Sequence, residues 1–214
     1  MNFKITLLGL LFSTALTAQE SVAGRLDEQF KPTTKSPMYT SQMTQTDSGW
    51  VRQSYFYLGG QLAAAELFED ENATIPISQS YKYYRNGQLR AIANHAAGKK
   101  SGVWLTYHEN GTVADSAFYE NDLPIGVSIK YDKRGNRSDS ITILPDRSRV
   151  HTRWYSDGQL LVQQYFQQDT MPVGTWNYFY ETGKPLGIVS YENGKEVNMQ
   201  CFDANGKIKN NSNC

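Results

Sequence analysis

The chain has 214 residues, enough for one or two domains. Its 21 basic and 21 acidic side chains cancel, so no global field recommends nucleic acid or an anionic membrane as partner. Fourteen tyrosines, nine phenylalanines and four tryptophans favour strands instead, because flat rings pack well on a pleated surface.

The first element is a targeting segment. "MNFKITLLGLLFSTALTA" carries one lysine, then an apolar run, then small residues, the order of a cleavable secretory signal. Residues 1–18 are therefore expected to be removed and the protein exported, to the periplasm or the medium. The run is shorter than the ~20 apolar residues a spanning helix needs, so no stable membrane span is expected after cleavage. Residues 19–48 hold prolines, Ser, Thr and Gln and few apolar side chains, and read as a polar linker.

Residues 49–214 read as a repeat. Gly60, Gly87, Gly111, Gly135, Gly158, Gly183 and Gly206 are separated by 27, 24, 24, 23, 25 and 23 residues. Four positions before each stands an aromatic: Phe56, Tyr83, Tyr107, Tyr131, Trp154, Phe179 and Phe202. Aromatics make up 13% of the chain, so a full set at one register is a repeat signal. Asn86-Gly87, Asn110-Gly111, Asp157-Gly158 and Asn205-Gly206 are hairpin turn pairs, and the runs around them are strand-like. Gly102, Gly126 and Gly174 are taken as the connecting turns. The segment "QLAAAELFEDE", 61–71, has helix formers, but Gly60-x-Leu62 continues the strand register.

A lone hairpin buries nothing, so about seven copies are expected to pair edge to edge in an elongated, single-layer antiparallel sheet. The recurring rings should then pack on their equivalents across the sheet. Trp104 and Tyr107 are three apart, so both faces carry aromatics unless a bulge intervenes.

The run "HAAGKKSGVWLTYHENG", 95–111, resembles the aromatic, Gly-x-x-x-Gly-x-Trp-x-x-Tyr and turn-Gly pattern of the MORN-repeat variant family. "YENDLPIGVSIKYDKRG", 119–135, follows it with Asp122 and Ser128 at two of the positions, and "VGTWNYFYETG", 173–183, keeps Gly-x-Trp. The resemblance implies a binding or scaffolding module. It also allows an antitoxin-like component that masks a toxin, as some bacterial members are labelled.

No chemistry emerges from the remaining residues. His95, His108 and His151 share no metal-ligand spacing, and no nucleophile elbow or dinucleotide fingerprint is present. The expectation is a non-enzymatic module without metal or cofactor, acting at the cell envelope on another protein or on envelope polysaccharide. A single layer leaves a face open, and the candidate binding patch is Trp104, Tyr107, Tyr131, Trp154, Trp176 and Phe179. Cys201 and Cys214 are the only cysteines, and in an exported chain they either close a disulfide worth ~3 kcal/mol or stand as two unpaired thiols.

Overall fold

A computed structural model of the chain describes residues 22–168 and 170–209. The expected signal segment, 1–18, and Cys214 lie outside the described residues. Cys201, the other half of the expected disulfide, is buried.

The described residues form sixteen strands and no helix. They are β1 (Val22–Leu26), β2 (Tyr39–Thr46), β3 (Gly49–Phe56), β4 (Leu62–Phe68), β5 (Pro76–Tyr83), β6 (Leu89–Ala96), β7 (Lys99–Lys100) and β8 (Gly102–Tyr107). Then come β9 (Val113–Glu120), β10 (Leu123–Tyr131), β11 (Arg137–Ile143), β12 (Arg149–Trp154), β13 (Leu160–Gln167), β14 (Met171–Phe179), β15 (Pro185–Glu192) and β16 (Lys195–Cys201). Every pairing is antiparallel and follows chain order, with the short β7 pairing only β6. The result is one open sheet, about 70 Å across its strands at ~4.8 Å per strand.

Turn chemistry sets this meander. In the hairpin around Gly87, the Tyr84 N–H donates to the Gln88 carbonyl at 2.8 Å and the Gly87 N–H to the Tyr84 carbonyl at 2.9 Å. Gly87 sits at φ 83, the left-handed residue that closes a three-residue loop. The same pair of bonds recurs around Gly111, Gly135, Gly158, Gly183 and Gly206. The last copy is half a hairpin among the described residues, where only a bridge joins Phe202 to Ile208.

Four expectations are corrected. Residues 22–46 are not a linker, since they supply β1 and β2. The stretch "YTSQMTQT" alternates, turning Tyr39, Ser41 and Met43 inward and Thr40, Gln42 and Thr44 outward. Gly102, Gly126 and Gly174 are not connecting turns. The connections before Gly102 and Gly126 are Ala97-Gly98 and Asn121-Asp122, and Asn193-Gly194 is the matching turn before β16, both residues of each at positive φ as a tight two-residue turn requires.

The turn at Gly60 is one residue longer, with the Gly60 N–H donating to the Phe56 carbonyl at 3.0 Å. Tyr55 therefore faces Leu62 as Tyr83 faces Leu89, and Phe56 pairs with Tyr39 on the other side of the sheet. Finally, the repeated rings do not stack on one another. Tyr83, Tyr107, Trp154 and Phe179 each face an apolar residue two past the turn glycine: Leu89, Val113, Leu160 and Pro185. Rings thus alternate with smaller side chains along the row.

Strand alternation and the pairing registers divide the side chains between two faces. Tyr39, Met43, Phe56, Ala64, Phe68, Val162, Trp176, Val189 and Cys201, all buried, share one, here the packed face. Leu26, Tyr39, Phe56 and Ala63 form a core at the N-terminal end of the sheet, with Phe30 packed against them. The opposite side is the open face.

Candidate interaction surface

Two kinds of irregularity repeat along the sheet and decide what it displays. The first follows each turn glycine, where the second strand carries one extra residue. Arg90, Ala114, Ser138, Leu161 and Leu186 are these extra residues in successive hairpins. The second lies near the start of β5, β8, β10 and β14. Between β9 and β10, Ile125 faces Phe118 but Ile129 faces Ser116, so four residues oppose two. Gly126, at φ 64, makes that bend, and Gly174 does the same in β14 at φ 67. Ser78 takes the corresponding place in β5 at φ 61.

The Gly-x-Trp motif has a structural cause. Two residues after Gly102, the Trp104 indole N–H crosses the bulge to the Asn94 carbonyl at 2.9 Å. Two after Gly174, Trp176 reaches the Tyr165 carbonyl at 3.2 Å. Each indole is flanked by rings, Trp104 by His95 and Tyr119 at 5.1 and 5.5 Å, and Trp176 by Phe166 and Tyr191 at 5.0 and 4.4 Å. Lys100 places its Nζ 4.5 Å from the Trp104 ring and 4.8 Å from that of Tyr119.

A second ladder joins successive copies. The Tyr84 hydroxyl donates to the Tyr107 carbonyl at 2.6 Å, Tyr155 to Phe179 at 2.9 Å and Tyr180 to Phe202 at 3.0 Å. His108 Nε2 makes the equivalent contact with the Tyr131 carbonyl at 2.9 Å. Asp132 breaks the series by turning onto its own loop, and Arg134 and Asn136 reach the Ser156 carbonyl at 3.1 and 3.3 Å instead.

The six aromatics expected to form one patch are divided. Trp104 and Trp176 lie on the packed face, Trp176 only 8% exposed, while Tyr107, Tyr131, Trp154 and Phe179 lie on the open face. None of the six is fully exposed. Burial raises the Tyr107 phenol above its ordinary value.

What the open face does expose is mainly aliphatic, grouped around one ring, Phe118. Val103 faces Phe118, Phe118 faces Ile125, and Leu144 continues the row beyond Gly126↔Ile143. Leu123 and Val127 flank Ile125 on the same strand and the same face. Val103, Phe118, Leu123, Val127 and Leu144 are 41–55% exposed, so five exposed large apolar side chains converge over β8–β11. Sequence pattern missed this surface because Val103 beside Trp104 and Val127 beside Ser128 look like ordinary half-buried strand residues. Register across β9 and β10 sets Leu123, Ile125 and Val127 in one patch with Phe118.

The packed face carries charge over the same strands. Asp115, Lys130, Asp139 and Arg153 stand directly opposite one another in turn across β9–β12, and His151 Nε2 lies 2.8 Å from Asp139 Oδ2. Burial raises the Asp115 carboxyl, with Lys130 acting against it. Among the described residues no cluster of His, Cys, Asp or Glu could hold a metal ion, and no helix is long and apolar enough to cross a membrane.

The family model of the MORN repeat variant matches residues 100–121 and 172–193. These are the two copies in which tryptophan bonds across the bulge. A comparison with curated proteins finds no match to the chain.

Proposed function

We propose that this chain is an exported, non-catalytic binding module that presents its open face to another protein at the cell envelope. The observation that carries the reading is the row Val103–Phe118–Ile125–Leu144 with Leu123 and Val127 beside it, all exposed but the half-buried Ile125. Contiguous apolar surface of this kind costs solubility and marks interaction sites. MORN repeats suggest binding, which agrees with it. The antiparallel meander carries the patch, and the ladder of tyrosine and histidine bonds joins one copy to the next.

The test compares wild type with Phe118→Ser and Val127→Ser in capture from an envelope extract, using the full chain secreted by its own leader. Substitution on an exposed strand face should leave the circular dichroism spectrum unchanged. A partner retained by wild type should be lost from both variants, with at least a tenfold fall in affinity for a residue of hot-spot rank. Retention by both variants would rule out this surface, and recovery of the full chain only from the cytoplasm would rule out export.

A further inference from the structure

We propose that the cleft beneath residues 28–30 is a binding site for a small organic anion built on a ring, a role independent of the open face. The cleft lies on the packed face and encloses about 430 Å³, within the ~300–1,000 Å³ usual for small-molecule sites.

Its floor follows from register. Lys82 faces Ala91 and Ala91 faces Thr106, so the three side chains stand in a row across β5, β6 and β8. Arg90 and Ala114, the extra residues of two successive bulges, complete it. Alanine, threonine and alanine leave space where larger side chains would fill it. The bulge residue in the other hairpins is Ala63, Ala114, Ser138, Leu161 or Leu186. Arg90 alone among them is a cation.

The roof is strained. Phe30 has φ 60, a conformation costly for a bulky side chain, yet its ring stacks on Tyr39 at 4.3 Å and 8°. The Lys82 Nζ stands 4.8 Å from the Phe30 ring, and the Arg90 guanidinium 5.9 Å from that of Tyr84. Among the described residues neither cation has an ion-pair partner, whereas Arg52 nearby is held by Glu66 at 2.7 Å. One carboxylate, Glu28, lines the cleft and accepts a bond from Gln29. Two cations against one anion leave the lining positive.

A carboxylate or phosphate between Lys82 and Arg90 gains charge-assisted hydrogen bonds, stronger than neutral ones. The rings of Phe30 and Tyr84 then offer flat apolar surface to the body of the ligand. A charged sugar and an aromatic acid share this chemistry.

Calorimetric titration of the full chain with glucuronate, glucose 6-phosphate and benzoate tests the site, with glucose as the neutral control. At least one anion should bind saturably at one site per chain, and at least tenfold more tightly than glucose. Lys82→Gln and Arg90→Gln should each weaken that binding at least tenfold with an unchanged dichroism spectrum. Binding of the sugar anions alone identifies a charged sugar, and binding of benzoate alone an aromatic acid. Absence of saturable binding by all three anions overturns the proposal, as does binding that both cation substitutions leave unchanged.

Discussion

The Trp104 indole N–H and the Ser101 backbone N–H both donate to the carbonyl of Asn94, at 2.9 and 3.0 Å. Asn94 answers with its own side-chain amide, which donates to the Val103 carbonyl. The bulge is thus closed by three bonds where a plain ladder would have gaps. Trp104→Phe keeps a ring against His95 and Tyr119 but loses one bond, and should cost about 1 kcal/mol. Trp176→Ala removes a buried ring as well and should cost ~3–5 kcal/mol. Urea unfolding checks both, with a lower midpoint and an unchanged slope.

The ladder between copies makes a separate prediction. Tyr180→Phe removes the hydroxyl that bonds the Phe202 carbonyl and should cost about 1 kcal/mol, leaving a part-buried acceptor without that donor. Tyr165→Phe removes a hydroxyl that bonds Gln163, two residues away on the same strand, and should cost less than ~0.5 kcal/mol. Hydrogen exchange should show faster opening of β16 in the first variant and none in the second.

Much of this fold was legible because turn chemistry is local. Asn-Gly and Asp-Gly pairs at fixed spacing announce hairpins, and a repeat of hairpins can pair only with itself. The N-terminal strands were not legible, because "YTSQMTQT" buries one tyrosine and one methionine among polar residues and its composition resembles a linker. The bulges were hidden for a different reason. Ser78 stands where Gly102, Gly126 and Gly174 stand, so the glycine pattern alone underestimates them. The tyrosine ladder escaped notice since Tyr84, His108, Tyr155 and Tyr180 adjoin the stronger aromatic signal one residue before them. The binding surface was half legible. Parity warned that Trp104 and Tyr107 face opposite ways, but only register shows that Val103, Leu123, Val127 and Leu144 converge with Phe118 on the open face.

Acid should weaken the fold through His95. Burial lowers its pKa, and nearby charges partly cancel, Glu66 and Asp122 raising it while Lys100 and Lys82 lower it. Its Nδ1 is buried without a hydrogen-bond partner. The unfolded chain therefore binds a proton at about pH 6.5, where the folded chain does not. With more protons on the unfolded state, stability falls as pH drops through 6.5 toward the lower folded value. Below that value the loss levels off. His95→Phe should flatten this part of the profile, read as the unfolding midpoint in urea between about pH 7 and 5. A second decline, from Asp132 and Asp203, should survive the substitution. Backbone bonds from Asn136 and Lys207 head the causes that lower those carboxyls, so their contribution is lost in stronger acid.

Two glycines at positive φ should respond very differently to alanine. Gly87 lies at φ 83 in a hairpin loop, and a Cβ there meets nothing within 4 Å. Gly87→Ala therefore carries only the backbone penalty, ~1–2 kcal/mol. Gly49 begins β3 at φ 131, and its added Cβ would stand 2.4 Å from the Phe68 carbonyl oxygen. That oxygen belongs to the backbone of β4 and cannot swing aside as a side chain would. To make room, β3 must move away from β4 at the pair Trp50↔Phe68, where Phe68 is buried under the Arg52 guanidinium. Gly49→Ala should therefore cost clearly more than Gly87→Ala, combining strain with lost packing around Phe68. The repeat spacing singled out Gly87 and passed over Gly49, so the ranking separates regularity in sequence from steric need. Thermal and urea midpoints of the two variants decide it, and an equal loss in both would show that β3 and β4 are not packed as closely as described.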